Sequence, residues 1–191
     1  MRVIAGKFGK HRLKAVPGDN TRPTTDKIKE SLFNIIGPYF DEDTRVLDFY
    51  AGSGALGIEA ISRGAAVVYG FEKNRQAQAT IKENVAAVRI EDQYVLKSGD
   101  NRNAIQQLRQ ADKDLQFDLV FLDPPYKGQQ LEDVINGFLA DHLLAPDARL
   151  ICELDKRDKL PEAFGPLKQI KDVTYGITRI QIGRASCRER V

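Results

Sequence analysis

Hydrophobic residues follow two different spacings along the chain, and each spacing predicts a different secondary structure. Between residues 28 and 36 they recur every three to four positions, which is typical of one face of a helix. Thr24 and Thr25 stand where such a helix would be capped, and Gly37 followed by Pro38 would end it. The apolar residues of this face are Ile28, Leu32, Ile35 and Ile36.

Beyond residue 44, short apolar runs that predict buried strands alternate with stretches that have helical spacing. The predicted strands are 45–50, 66–72, 94–97, 117–123 and 148–154, and the predicted helices are 58–63, 74–88, 103–110 and 131–139. This alternation predicts a parallel sheet covered by helices on both faces. Two last runs, 167–173 and 177–182, flank Tyr175-Gly176 and predict a hairpin that closes the sheet.

The composition is that of an ordinary globular protein. Of the 191 residues, 42% are hydrophobic and 29% are charged, which suits one compact domain with a sizeable core. No apolar run approaches the roughly 18 residues of a membrane-spanning helix, and the charged N-terminus lacks a secretory signal. The cysteines, Cys152 and Cys187, and the two histidines offer neither a disulfide framework nor a metal site. We therefore expect a cytoplasmic protein without membrane contact or bound metal.

Charge is distributed unevenly, although the net charge is only +2. Residues 1–30 contain eight Lys or Arg residues and three acids, whereas residues 31–182 contain more acids than bases. A basic segment joined to an acidic body suggests a partner with phosphate groups that the segment binds. A merely solvated N-terminus is the alternative. The candidate phosphate contacts are Arg2, Lys7, Lys10, Arg12 and Arg22.

Three glycines follow the first predicted strand in VLDFYAGSGALG, residues 46–57. Gly52, Gly54 and Gly57 fit the G-x-G-x-x-G pattern of a strand-to-helix turn whose backbone a nucleotide-like ligand can approach. Asp48 lies inside the strand, four residues before Gly52, and a carboxylate toward the carboxyl end of this strand suits an ammonium group better than a pyrophosphate. The position of Asp48 therefore favours S-adenosylmethionine, although NAD enzymes share the glycines.

Two more acids follow the next predicted strands. Glu72 ends the second strand and can accept hydrogen bonds from both hydroxyls of a ribose, in NAD and in S-adenosylmethionine alike. Asp100 follows the third strand and can accept a hydrogen bond from the adenine amino group. The surrounding Ser-Gly-Asp-Asn is also ordinary turn chemistry, which leaves a structural role open for Asp100.

The sequence DLVFLDPPY, residues 118–126, gives the strongest chemical signal. Pro124 and Pro125 rigidify the corner that follows the fourth predicted strand. We expect the carboxylate of Asp123 and the carbonyl of Pro124 to point at one spot as hydrogen-bond acceptors. Two such acceptors match the two N–H groups of an exocyclic amine, and Tyr126 would stack on the base that carries it.

With these motifs the chain resembles the RsmD-like 16S rRNA guanine-N2 methyltransferases, a family of class I methyltransferases. The resemblance extends from Arg2 to about Ile182, and TRPT followed by a helix that ends in LFNI is its most particular part. Phe49-Tyr50 departs from the usual Leu-Phe, and the tail RASCRERV lies outside the pattern. The matching segments are RVIAGKFGKHRL, TRPTTDKIKESLFNII, VLDFYAGSGALGIEAISRGA, DLVFLDPPY and VTYGITRIQI.

The resemblance implies an α/β fold, a Rossmann-like doubly wound class I methyltransferase sheet of seven strands with the last one antiparallel. On this basis we expect a basic RNA-binding extension over residues 1–24 and a methyltransferase domain over residues 25–182. Residues 183–191 are expected to be a non-native tail.

The resemblance also implies roles for individual residues. The implied cofactor contacts are Asp48, Gly52, Gly54, Glu72 and Asp100, and the implied catalytic loop is Asp123, Pro124, Pro125 and Tyr126. The cofactor would be S-adenosyl-L-methionine, released as S-adenosyl-L-homocysteine. The partner would be 16S rRNA within the small ribosomal subunit or an assembly intermediate, methylated at N2 of a guanine by a monomeric enzyme. The family's target is guanine 966.

Three other functions remain compatible with parts of this pattern. An adenine-N6 or cytosine-N4 nucleic-acid methyltransferase could use the same pair of acceptors, because any planar amine presents the same donors. An NAD-dependent oxidoreductase would share the glycines and Glu72, but the Asp-Pro-Pro-Tyr corner argues against it. A non-catalytic RNA-binding module would have no need of that corner.

Overall fold

The computed structural model describes residues 1–18, 26–37, 39–99, 101–124 and 131–186, without the side chain of Arg102. The helices in these ranges are α1 (Asp26–Ile36), α2 (Ala55–Ser62), α3 (Arg75–Val88), α4 (Asn101–Ala111) and α5 (Leu131–Ala140). The strands are β1 (Arg45–Asp48), β2 (Val67–Glu72), β3 (Tyr94–Ser98), β4 (Phe117–Leu122), β5 (Leu144–Asp155), β6 (Ala163–Phe164), β7 (Leu167–Tyr175) and β8 (Thr178–Ala185). No helix in the described ranges is both long and apolar enough to cross a bilayer.

The strands form one sheet in the order β3-β2-β1-β4-β5-β8-β7-β6. Strands β1 to β5 pair in parallel, and β8 lies antiparallel between β5 and β7. The strand order reverses between β1 and β4. The chain proceeds from β1 to β2 on one side of this point and from β4 to β5 on the other. In a doubly wound sheet, ligands bind at the carboxyl ends of the strands at this reversal. The predicted fold class is therefore confirmed.

The sheet has eight described strands rather than the seven that we expected. The additional strand, β6, consists of two residues that pair antiparallel with the start of β7 through the Gly165-Pro166 turn. Two residues are too few for any hydrophobic alternation, and this strand therefore left no pattern in the sequence. The expected end at Ile182 also came too early, because β8 pairs with both neighbours up to Arg184 and Ala185.

Apolar side chains cover both faces of the sheet, as its parallel pairing requires. In β1, Val46 faces the core beneath α1, α2 and α3, whereas Leu47 faces the opposite core beneath α4 and α5. Both residues are fully buried. Successive strand residues point to opposite faces, so a strand covered on both sides reads as an uninterrupted apolar run.

The basic N-terminal segment folds back on itself and packs against the domain. Val3 donates to the carbonyl of His11 at 2.9 Å, and Leu13 donates to the carbonyl of Met1 at 3.0 Å. Val3 and Leu13 are both buried in the core beneath α1, α2 and α3. The segment over residues 1–14 is thus part of the folded body, with its charged side chains on the outside.

Candidate active site

Four acidic residues lie at or near the carboxyl edge of the sheet around the reversal of strand order. Asp48 ends β1, Glu72 ends β2, Asp123 directly follows β4, and Glu153 lies in β5 next to the end of β4. Since β1 pairs with β2 on one side and with β4 on the other, the sheet brings these acids together.

The glycine turn connects β1 to α2 along this edge. Gly54 precedes the first residue of α2 in the left-handed conformation, with φ 79°, and Gly52 also has a positive φ of 55°. The turn closes when Gly54 donates to the carbonyl of Ala51 at 2.7 Å. Positive φ angles cost little only for glycine, and the pattern of glycines in the sequence therefore reflects the conformation of the turn.

Asp48 is buried beneath the first turn of α2. Its Oδ2 accepts a hydrogen bond from the backbone amide of Gly57 at 3.2 Å. Burial raises the pKa of Asp48 to about 7; the Gly57 amide opposes this rise, and the charge of Glu72 adds to it. An ionised Asp48 is therefore costly in the protein alone and would be stabilised by a cation placed at this edge.

Glu72 joins the end of β2 to the glycine turn. Its Oε2 accepts a hydrogen bond from the amide of Gly52 at 2.9 Å, and its Oε1 accepts one from the amide of Asn74 at 2.8 Å. An ionised carboxylate has about four acceptor positions, so both oxygens keep capacity for a further donor. Glu72 is thus held in place with acceptor positions to spare.

Asp123 is half-buried where β4 leaves the sheet. Burial raises the pKa of its carboxyl group well above the ordinary value, and the charges of Glu153 and Asp48 raise it further. Asp123 and Pro124 are the last described residues of this corner. Pro125 and Tyr126, like the predicted adenine contact Asp100, lie outside the described residues.

Burial, and after it the charge of neighbouring acids at this edge, raises the pKa values of Asp48 and Asp123. Such a site is suited to a cationic ligand, because a nearby positive charge favours the ionised carboxylates. S-adenosylmethionine carries an ammonium and a sulfonium group and fits this requirement. The pyrophosphate of NAD, with two negative charges, would add to the repulsion.

Two side chains that were not among the predicted site residues also belong to this region. Asn101, at the start of α4, donates from its Nδ2 to the carbonyl of Phe49 at 2.6 Å and thereby supports the segment after β1. Tyr94 lies under the glycine turn, where its hydroxyl is buried without a hydrogen-bond partner in the described structure. Asn101 ends the Ser-Gly-Asp-Asn segment and Tyr94 begins a predicted strand, but neither pattern indicates contacts with residues this distant in sequence.

The predicted phosphate contacts are separated from this edge in sequence but lie on one short segment. Arg2 forms an ion pair with Asp26 at 3.0 Å, and its backbone pairs with that of Arg12. The ammonium of Lys7 lies 5.3 Å from the ring centroid of Phe8. Arg2, Lys7, Lys10 and Arg12 are all exposed, while Arg22 lies outside the described residues.

Comparison with known proteins places most of the chain within one family. The model of the family described as conserved hypothetical protein 95 matches residues 1–184. The Bacillus subtilis protein YlbH is 41% identical over 182 residues, which are 95% of this chain and 97% of that protein. Ribosomal RNA small subunit methyltransferase D of Escherichia coli is 35% identical over 84% of this chain and 78% of its own length.

The solved structures include close matches to the whole fold. The structure of yhhF from Escherichia coli superposes with a TM-score of 0.82 at 29% identity, and the match covers 98% of this chain and 99% of that chain. The fold of this chain is therefore shared with a protein of similar length.

Proposed function

The chain belongs to the conserved hypothetical protein 95 family, and we propose that it transfers a methyl group from S-adenosylmethionine to an exocyclic amine of a ribosomal RNA base. The observation that carries this proposal is the position of Asp123. It directly follows β4 and lies beside the end of β1. The amine acceptor and the glycine turn thereby share one edge of the sheet. The name of the Escherichia coli relative supports small-subunit rRNA as the substrate.

The finer proposal concerns the atom that is methylated. We infer N2 of a guanine in 16S rRNA, with guanine 966 as the family's target. The resemblance of the TRPT and LFNI segments supports this choice, whereas the acceptor pair alone would equally serve adenine N6 or cytosine N4. The base has to be unpaired or flipped out, because its amino group is otherwise held within the helix.

When bound, S-adenosylmethionine supplies a methyl group on a positively charged sulfur. Asp48 and Glu72, together with the backbone of Gly52 and Gly54, are the residues that would hold it. Asp48 would pair with the ammonium group of the methionine moiety. Glu72 would accept from the ribose hydroxyls with the acceptor positions that its two backbone hydrogen bonds leave available. Asp100 would accept from the adenine amine.

Asp123 and the carbonyl of Pro124 would accept hydrogen bonds from the two N–H groups of the target amine. This arrangement turns the nitrogen lone pair toward the methyl carbon and favours pyramidal nitrogen as the new N–C bond forms. Methyl transfer, with S-adenosylhomocysteine as the leaving group, would place positive charge on the amine nitrogen, and the carboxylate of Asp123 would stabilise that charge. Asp123 or water then accepts the proton that the nitrogen loses, and Tyr126 would stack on the base.

Exposed cations on residues 1–14 would bind phosphates around the target nucleotide. Arg2, Lys7, Lys10 and Arg12 project from a segment that is fixed to the domain, so their positions relative to the site are set before RNA binds. Electrostatic attraction of this kind is independent of sequence and decreases with salt. It would supply affinity, whereas the corner at Asp123 would supply the chemistry.

The decisive experiment measures which nucleoside receives the methyl group. Purified protein is incubated with S-adenosylmethionine and either unmethylated small ribosomal subunits or duplex DNA, and the nucleosides are analysed by mass spectrometry. We expect N2-methylguanosine from the ribosomal RNA and no modified base from DNA. Methyladenosine or methylcytidine as the product would refute the guanine assignment. Thermal stabilisation by NAD but not by S-adenosylhomocysteine would refute the methyltransferase proposal.

A further inference from the structure

The basic segment over residues 1–14 is fastened to the domain by buried polar side chains. Glu59 accepts hydrogen bonds from the amides of Ile4 and Ala5 at 2.7 and 3.1 Å, and Ser62 donates to the carbonyl of Ala5 at 2.6 Å. The Lys29 ammonium donates to the carbonyl of Arg2. Three buried polar side chains, those of Lys29, Glu59 and Ser62, therefore bind the backbone of a segment whose charged side chains are exposed.

Asn84 differs from these side chains because it also binds the glycine turn. Located on α3 and 2% exposed, it accepts from the amide of Lys14 at 2.8 Å through Oδ1. Its Nδ2 donates to the carbonyl of Lys14 at 3.0 Å and to the carbonyl of Ser53 at 2.9 Å. Both donors of the amide are thus in use. One buried side chain connects the end of the basic segment to the residue between Gly52 and Gly54.

A second contact joins the other end of the segment to the same residue. The hydroxyl of Ser53 donates to the sulfur of Met1 at 3.8 Å, and the carbonyl of Met1 accepts a hydrogen bond from the amide of Leu13. The two ends of the basic segment therefore meet at the middle of the glycine turn. Because Asn84 is buried, water cannot readily replace its three hydrogen bonds.

We propose that Asn84 is a positioning residue that keeps the basic segment in a fixed place relative to the glycine turn. RNA held by the cations of the segment is then presented to the methyl donor at a set distance. This inference rests on the proposed function. Its physical basis is that reaction rates depend steeply on the placement of the two reactants, so a loosened connection lowers turnover even when each part still binds.

The chain offers a matched control for the removal of this amide. Gln181 on β8 is 4% exposed, accepts from the amide of Leu160 at 2.7 Å and donates to the carbonyl of Leu160 at 3.3 Å. Like Asn84, it binds both the amide and the carbonyl of one backbone residue, and its Nε2 makes a third hydrogen bond, to Oε1 of Gln169. The residue that it clamps belongs to the segment before β6 and has no described contact with the glycine turn. Asn84→Ala and Gln181→Ala therefore each remove three hydrogen bonds of a buried amide, but only Asn84→Ala removes one to the glycine turn.

The test combines each variant with the loss of the segment's charges. Lys7, Lys10 and Arg12 are replaced by Ala together, in the wild type, in Asn84→Ala and in Gln181→Ala, and kcat/KM is measured on the RNA substrate. If Asn84 positions the segment, removing the charges matters less once the connection is broken. We expect removal of the charges to lower kcat/KM in Asn84→Ala by a factor that is at least about threefold smaller than the factor in the wild type. In Gln181→Ala, removal of the charges should lower kcat/KM by the same factor as in the wild type, so that the effects of the two changes multiply.

Hydrogen exchange of the amides in residues 1–14 provides a readout that needs no activity. We expect faster exchange there in Asn84→Ala and unchanged exchange in Gln181→Ala. Should Asn84→Ala fail to fold, Asn84→Asp enters the cycle, because it keeps the volume and the acceptor for Lys14 but loses the amide donors. Multiplicative effects in the Asn84 variants, or unchanged exchange in residues 1–14, overturn the inference.

Failure of the proposed function has a different signature. If the wild type methylates another nucleic acid instead of ribosomal RNA, the proposed substrate is wrong, and the same cycle is run on that nucleic acid. If the wild type methylates ribosomal RNA but the effects multiply, only the role of Asn84 is wrong. If it methylates no nucleic acid, both are overturned.

Discussion

The carboxylate of Asp48 accepts a hydrogen bond from the backbone amide of Gly57, at 3.2 Å, where the first turn of α2 passes over the end of β1. A side chain at position 57 would prevent this approach. A Cβ atom there would lie 2.8 Å from Cγ1 of Val68, 2.9 Å from Cε2 of Tyr94 and 3.3 Å from Oδ2 of Asp48. Because Gly57 has no side chain, α2 can pack over the carboxyl group of Asp48, whose ionised form is disfavoured by burial.

Stability should fall as pH rises because of Asp48. Burial raises the pKa of Asp48 from 3.8 to about 7, so the folded protein holds a proton that the unfolded chain loses. The free energy of unfolding therefore decreases between about pH 4 and pH 7, by up to about 4 kcal/mol from this group. We expect Asp48→Asn to reduce this slope, while the raised pKa of Asp123 maintains the remainder, and to be more stable by about 1–3 kcal/mol at pH 8, as measured by urea unfolding.

The same variant should lose affinity for the cofactor. Without the carboxylate, we expect S-adenosylhomocysteine to bind at least about tenfold more weakly by calorimetry, because the ammonium group loses its charged partner. Asp118→Asn is the control, since Asp118 accepts from the amide of Arg45 at the opposite edge of the sheet. A pH slope in Asp48→Asn equal to that of the wild type would contradict the assignment to this carboxyl group.

Asp123→Ala should separate catalysis from cofactor binding. We expect methyl transfer to fall by at least about a hundredfold, the usual scale for losing an oriented electrostatic partner. The affinity for S-adenosylhomocysteine should survive, because Asp123 would face the amine rather than the cofactor. Asp158→Ala, an exposed acid near the end of β5, is the control and should be close to normal. Nearly normal turnover in Asp123→Ala would remove this residue from the mechanism.

Glu153 should control the pH at which methyl transfer becomes efficient. Burial, and after it the charge of Glu153, raises the pKa of Asp123, which has to be ionised to stabilise positive charge on nitrogen. We expect kcat/KM to increase with pH and the midpoint of that increase to move to lower pH in Glu153→Gln. Glu162→Gln, in an exposed pair with Lys159, should leave the midpoint in place. A shift toward higher pH in Glu153→Gln would contradict this arrangement.

Two tyrosines should respond in opposite directions to the loss of a hydroxyl group. The Tyr94 hydroxyl is buried without a hydrogen-bond partner in the described structure, whereas the Tyr175 hydroxyl is hydrogen-bonded to the side chain of Ser31. An unpaired buried hydroxyl costs stability, so we expect Tyr94→Phe to stabilise the protein by about 1 kcal/mol and Tyr175→Phe to destabilise it by about 1 kcal/mol. Chemical denaturation measures both. Loss of stability in Tyr94→Phe would reveal a partner for its hydroxyl.

The basic segment should account for part of the salt dependence of RNA binding. Each phosphate contact that is lost reduces the slope of log affinity against log salt by about 0.7–0.9. Replacing Lys7, Lys10 and Arg12 by Ala should therefore weaken binding and flatten that slope, which filter binding at several salt concentrations will show. A slope equal to that of the wild type would place the segment outside the interface.

The sequence predicted the fold class from its alternating strands and helices, and the glycine turn from Gly52 and Gly54, which have positive φ angles, and Gly57, where a side chain would not fit. It placed Glu72 and Asp123 at strand ends and Asp48 inside a strand predicted to run to Tyr50; the structure ends that strand at Asp48 and brings the three acids to one edge. It missed β6, which is only two residues long, and ended β8 at Ile182 instead of Ala185. The cofactor and RNA roles of the predicted residues stay predictions.

Local patterns determined these features because a buried parallel strand needs an apolar run and a turn with positive φ needs glycine, whatever the rest of the chain does. The raised pKa values of Asp48 and Asp123, the unpaired hydroxyl of Tyr94 and the three hydrogen bonds of Asn84 were decided only by the tertiary structure. Each depends on groups that are distant in sequence, such as Asn84 and Lys14. The packing of α3, the glycine turn and the N-terminal segment brings these groups together, and no local pattern records it.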